Sequence, residues 1–179
     1  MSKVAVLKTK PETVIEDYKR LLDMAEFTKH IPKDKPVILK DNISWHYMFP
    51  GANTTPWQLE AVIQYLQDNG YRDISAVHNE TVVINAPKGQ RLNRLDKVYA
   101  RYGIRELMNY DPNDMKWIRY EPKAKMQALD GIFPEGIMIP DYFFGKSIVH
   151  LPTVKCHIYT TMTGAMKNAF GGLLNTRRH

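Results

Sequence analysis

The sequence has one cysteine, Cys156, in 179 residues. A single thiol excludes an internal disulfide, and it excludes a four-cysteine iron–sulfur cluster held by this chain alone. No apolar run approaches the roughly 20 residues of a membrane span. The start moves directly into Val4-Ala5-Val6-Leu7, with no secretory apolar region and no small-residue cleavage site. Together these absences lead to the expectation of a cytoplasmic protein without a membrane anchor.

Three signatures are also missing. No GxxxxGK[ST] loop occurs, so a Walker-type phosphate cradle is unsupported. No GxGxxG occurs, which removes the dinucleotide fingerprint. No HExxH or HxxxH occurs, so there is no helical zinc pair. Charge is not scarce: 25 basic residues against 19 acidic ones give a net +6. These residues are interleaved, as from Glu12 through Lys35, and no aromatic side chains alternate with a basic stripe. The excess therefore reads as solubility and a preference for anionic ligands, and it argues against a nucleic-acid interface.

What is present alternates between strand and helix signals. Val4–Leu7 reads as a strand. Pro11 suits a first helical turn, and Val14, Ile15, Tyr18, Leu21, Leu22 and Ala25 follow at helical spacing. Pro36–Leu39 is a short apolar strand of the kind buried on both faces. The loop 41–53 is long and aromatic. Thr55 and Pro56 then open a helix that stops at Asn69-Gly70. Ile74–Val77 is the next strand. Residues 81–85 look extended but precede Ala86-Pro87-Lys88-Gly89, which leaves them as loop or edge strand. Arg94–Tyr102 reads as a helix ending at Gly103, Lys116–Tyr120 as a strand, 121–145 as irregular structure or an edge hairpin, and Ser147–Leu151 as a late strand. This pattern predicts a single α/β domain over residues 1–179, with a Rossmann-like three-layer fold and a mostly parallel sheet covered by helices on both faces.

In such sheets ligands bind outside the carboxyl ends of the strands. Those ends carry Lys40, Asp41 and Asn42, then His78, Asn79 and Glu80, then Lys155 and His157. A helix opening at the threonines 160–163 would add its free amides. Lys40, Asn42, Thr160, Thr161, Thr163, Lys167 and Asn168 are accordingly the candidate binding residues for a small carboxylate or phosphate. Lys155 and His157 are the candidate catalytic residues, with His157 as general acid–base. Metal chemistry competes, with His46, His78 and Glu80 as ligands drawn from separate loops. Cys156 reads as a small filler beside the site. Along the last helix, Met162, Ala165, Met166, Ala169, Phe170, Leu173 and Leu174 form the stripe expected to face the core. Gly164, Asn168, Gly171 and Asn175 share the opposite arc, where a neighbouring protein surface is expected to pack.

One segment, Leu151-Pro152-Thr153-Val154-Lys155-Cys156-His157 through Lys167-Asn168-Ala169-Phe170-Gly171-Gly172, resembles the signature of the domain-of-unknown-function 362 family. That signature is a lysine-x-histidine followed by threonine-glycine and lysine-asparagine-x-x-glycine. Val37–Asn42 and Thr54-Thr55-Pro56 through Asn69-Gly70 match further units, so the likeness spans nearly the whole chain. A more distant likeness is to the amino-terminal domain of nickel-pincer lactate racemases. The family resemblance implies an α/β protein with no agreed reaction, so whether the chain is an enzyme stays open. Some members are fused to ferredoxin-like modules, which implies the alternative of a redox-linked scaffold working with an iron–sulfur protein partner. A homo-oligomer is the other partner left open. Relatives usually continue further, so the sequence looks like the amino-terminal part of a longer chain.

Overall fold

The computed structural model describes residues 3–79 and 84–173. Helix α1 (Val14–Met24) follows a turn containing Pro11, and Asp17 near its start accepts hydrogen bonds from the Thr13 and Thr9 hydroxyls at 2.6 and 3.0 Å. A single helical turn, α2 (Phe27–His30), leads to strand β1 (Val37–Asp41), which is buried along its whole length. Helix α3 (Pro56–Asp68) begins where the Thr55 hydroxyl accepts from the Gln58 amide at 3.3 Å. It ends before Gly70, whose φ of +86° is the left-handed conformation that closes a helix at low cost only in glycine. Strand β2 (Ile74–His78) comes next. Then follow α4 (Ala86–Leu92), capped by Asn85, and α5 (Leu95–Tyr102), closed by Gly103 at φ +65°.

Strand β3 (Arg105–Met108) completes one side of the sheet. An antiparallel pair stands apart, β4 (Trp117–Tyr120) with β5 (Ile137–Pro140), and the short helix α6 (Leu129–Ile132) lies between them in sequence. After a 3-10 turn at Asp141–Phe143 the chain re-enters the main sheet as β6 (Ser147–Leu151). A tight hairpin, β7 (Lys155–His157) with β8 (Thr161–Thr163), then precedes α7 (Ala165–Leu173).

The main sheet has the order β3-β2-β1-β6 and every pairing is parallel. Alternation along the strands sorts the core into two layers. Val37, Leu39, Ile74 and Ala76 face Leu59, Val62, Ile63 and Leu66 of α3 and Leu95, Val98 and Tyr99 of α5. Ile38, Val77 and Leu107 face the other way, toward Met115 and Phe143. Helix α7 lies against β1 and β6. The result is a Rossmann-like three-layer arrangement. The chain travels outward from β1 through β2 to β3 and then returns to the far side of β1 as β6. The topological switch point, where α/β sheets open a crevice, is therefore between β1 and β6.

Several sequence expectations need correction. Val4–Leu7 forms no strand: Val4 and Val6 are 82% and 81% exposed, and the sheet has no place occupied by this segment. Ala86–Leu92 is a helix that the sequence pattern did not mark; the Asn85 side chain caps it and Pro87 sits in its first turn, where a missing N–H costs nothing. Arg105–Met108 is a strand that the charged Arg105 and Glu106 concealed. The last helix begins at Ala165, so the threonines before it belong to the β7–β8 hairpin. The Met162 and Met166 stripe is turned outward, at 55% and 89% exposed, while Asn168 is buried. The glycine-bearing arc packs on this chain's own sheet, with Gly171 within reach of Asn79, so a second segment of the same chain meets it. Glu80, most of the extended run 81–85, Leu174 and Asn175 lie outside the described residues. Among the described residues no helix is long and apolar enough to cross a membrane.

Leu39 has no exposed surface at the centre of the sheet. Leu39→Ala is expected to lower unfolding stability by about 2–5 kcal/mol. Val6→Asp, on the segment that pairs with no strand, is expected to change it by less than about 0.5 kcal/mol. Urea denaturation of both variants reads the contrast.

Candidate functional site

Two polar groups stand on opposite faces of the sheet at its carboxyl edge. On the helix face, Asp41 is the hub. Its Oδ1 lies 3.1 Å from His78 Nδ1, and its Oδ2 accepts from Gln90 Nε2 at 2.8 Å and from the Tyr99 hydroxyl at 3.1 Å. Gln90 Nε2 also crowds His78 Nδ1 at 2.6 Å, so two donors converge on one carboxylate. The far nitrogen of His78 reaches Glu106 Oε2 at 3.2 Å. Glu106, His78 and Asp41 thus form a row across three neighbouring strands. Gly89 permits it: a Cβ there would lie 2.7 Å from Ile43 Cγ2, so only glycine lets α4 approach closely enough to place Gln90.

Burial opposes charge on Asp41, but the His78 imidazolium, its hydrogen bond and the Lys40 ammonium outweigh that and hold the carboxyl down at about 2. Burial likewise opposes charge on His78, yet Asp41 and Glu106 pull its pKa up to about 9. Both members are at most 2% exposed and both carry charge at neutral pH. A small pocket lined by Lys40, Asp41, Ile43, His78, Asn79, Ile84 and Ala86 opens at this edge, with room for about one water.

On the other face Lys40 stands beside His150, its partner in the β1–β6 register. Lys40 is 3% exposed and its Nζ donates to the Asp41 carbonyl at 2.8 Å. Burial, reinforced by the Lys40 charge, drives His150 down to about 4, so it is neutral at physiological pH. Asn168 of α7 reaches in between them, donating to the Lys40 carbonyl at 2.9 Å, with its Nδ2 3.4 Å from His150 Nδ1.

Beyond the strand ends, Asn42 organises the switch point. Its backbone amide donates to the Thr54 hydroxyl at 2.8 Å, and that hydroxyl donates to the Leu151 carbonyl at 2.5 Å, which ties the end of β1 to the end of β6. Its side-chain Oδ1 accepts from Lys155 Nζ at 2.5 Å, and the same Nζ donates to the Thr153 carbonyl at 3.1 Å. Thr163 is the register partner of Lys155 in the hairpin; its hydroxyl is buried and has no hydrogen-bond partner among the described residues. Partial burial and the nearby charge of Lys167 push Lys155 down to about 8. No carboxylate lies within ion-pair distance of either lysine among the described residues.

The structure therefore brings together Asn42, Lys155 and Thr163, with Lys40 and Asn168 behind them and the charge of Lys167 within electrostatic reach of Lys155. It leaves Thr160 and Thr161 exposed at the hairpin turn. His157 is two residues from Lys155 on the same side of β7, and its Nδ1 accepts from the Tyr159 and Thr160 amides at 3.2 and 3.4 Å. Cys156 points out to solvent. His46 is set in the aromatic loop, stacked on Trp45 at 5.3 Å, while His78 is committed between two carboxylates. Among the described residues no group of three side chains converges as metal ligands. Gln90, Tyr99, Glu106 and His150 were not among the candidates the sequence offered. The only available signal for His150 was its place in an apolar strand whose register neighbour is a lysine.

The model of a family described as a domain of unknown function (DUF362) matches residues 37–179. No curated protein matches the chain, and no solved structure does.

An unfolded histidine releases its proton near pH 6.5, whereas His78 in the fold keeps it to about 9. The stability this pair contributes is thus complete below pH 6.5 and is lost as pH rises through 9. Urea midpoints between pH 6 and 10 should fall accordingly. In Asp41→Ala that slope should flatten and stability at pH 7 should drop by about 3–5 kcal/mol, because the imidazolium is left buried beside half its counter-charge.

Proposed function

The chain belongs to the DUF362 family, a domain of unknown function, and we propose that it binds a small anionic molecule, a carboxylate or a phosphate, at the carboxyl ends of β1 and β6. The observation that carries this reading is the amine pair. Burial first, and then the charge of Lys167, push the pKa of Lys155 down, and no carboxylate among the described residues lies within ion-pair distance of either lysine. Two like charges held together by a fold cost free energy that a bound anion recovers.

The surroundings suit the same ligand. The Thr163 hydroxyl, buried and without a partner among the described residues, can donate to an anion oxygen. Lys40 contributes field from beneath the strand end, since its own ammonium is turned into the protein. The location follows the general rule for open parallel sheets, in which the crevice at the switch point receives the ligand. A cation would meet two amines at this place, which disfavours a metal there.

Inorganic phosphate and acetate serve as probes in isothermal titration. Removing one charged donor in Lys155→Met or Lys167→Met should weaken whichever anion binds by roughly tenfold or more. The exposed Lys125→Met should leave it unchanged. Equal affinity in wild type and both folded lysine variants would end this reading.

A further inference from the structure

We propose that Lys155 is a nucleophilic amine that condenses with the carbonyl carbon of a small 2-oxo carboxylate while Lys167 holds the carboxylate, an inference that rests on the anion site proposed above. A neutral primary amine has two N–H bonds and one lone pair. Lys155 Nζ lies 2.5 Å from Asn42 Oδ1 and 3.1 Å from the Thr153 carbonyl, so loss of one proton from the ammonium leaves both remaining N–H bonds engaged and a lone pair free to attack. Both acceptors are uncharged.

The amine is also held in place. Asn42 follows directly on β1, its amide is bonded to Thr54, and Thr54 is bonded to the end of β6. Thr153 is fixed in turn, because its hydroxyl donates to the Asn53 carbonyl at 2.7 Å. A nucleophile anchored through two rigid segments loses little freedom when it reacts. Partial burial and a neighbouring cation both favour the unprotonated amine, the arrangement that activates lysine for imine chemistry.

Thr163 supplies the remaining group. Directly opposed residues of an antiparallel pair project to the same side, roughly 5 Å apart. The unpartnered Thr163 hydroxyl is therefore placed beside Lys155, where an oxyanion would form. In the step itself, Nζ attacks the carbonyl carbon, the C–N bond forms, and the C=O π pair moves to oxygen, which takes one amine proton. The carbinolamine then loses its hydroxyl together with the second amine proton as water, leaving the imine. No oxidant or reductant takes part.

The test uses pyruvate as probe, with cyanoborohydride to reduce any imine, followed by peptide mapping of the full chain. Lys155 should gain the mass of pyruvate less one oxygen, with a yield roughly tenfold or more above that of the exposed Lys8 and Lys125. Lys167→Met should reduce that preference, and propionaldehyde, which has the carbonyl but no carboxylate, should not show it. Labelling of Lys155 no greater than that of Lys8, in protein that still binds pyruvate or phosphate by titration, overturns the imine and leaves the anion site standing. Absence of binding by both probes overturns the two together.

Discussion

The buried Asp41 carboxylate is the interaction on which the carboxyl edge of this fold depends. Four elements meet on it: β1 carries it, β2 offers His78, α4 offers Gln90 and α5 offers Tyr99. Taking a carboxylate out of water costs several kcal/mol unless partners replace the lost hydration. Here the partners come from 37, 49 and 58 residues away, so the charge is tolerated only when the strand and both helices are in place together. Apolar packing of α3 and α5 can tolerate small slips in register; this network cannot, because a shift of one residue would carry Asp41 to the opposite face.

That rigidity is what the switch point is built against. With the ends of β1 and β6 tied through Asn42, Thr54 and Leu151, the Lys155 amine is held by two neutral acceptors. The two faces of the sheet divide the labour. Opposite charges are neutralised within the protein on the Asp41 face. At the switch point the positive charges of Lys155 and Lys167 have no such answer among the described residues. The fold thereby stores an electrostatic cost in one place, a pattern more common at binding sites than in structural networks.

Much of the scaffold was legible in the sequence for local reasons. Thr55-Pro56 and Asn69-Gly70 bracket α3 because capping hydroxyls, N-terminal prolines and left-handed glycines act over three or four residues. The runs at 37–39, 74–77 and 147–151 are strands because short, mostly apolar runs rich in valine and isoleucine fit a sheet covered on both faces. The failures were also local signals, overruled from a distance. Val4–Leu7 has strand composition but finds no pairing partner in the described sheet, and backbone pairing, not composition, makes a strand. Arg105–Met108 has weaker composition but lies beside β2 and pairs fully with it. The methionine stripe has perfect helical spacing, yet spacing does not say which side meets the sheet; the buried Asn168, donating to the Lys40 carbonyl, marks the side that does.

By itself, the sequence determined the fold class, the order of the central elements, and the fact that polar residues crowd the strand ends. These follow from periodicity, capping and the statistics of short apolar runs, all properties of neighbouring residues. Only the tertiary structure decided which of those polar residues act together: that Asp41 and His78 neutralise each other on one face, that Lys40 faces His150 on the other, and that Lys155 leans on Asn42, 113 residues before it, beside the charge of Lys167. The reason is physical. Burial, charge pairing and the direction of a lone pair depend on atoms that are close in space and remote in the chain, and no local pattern encodes that closeness.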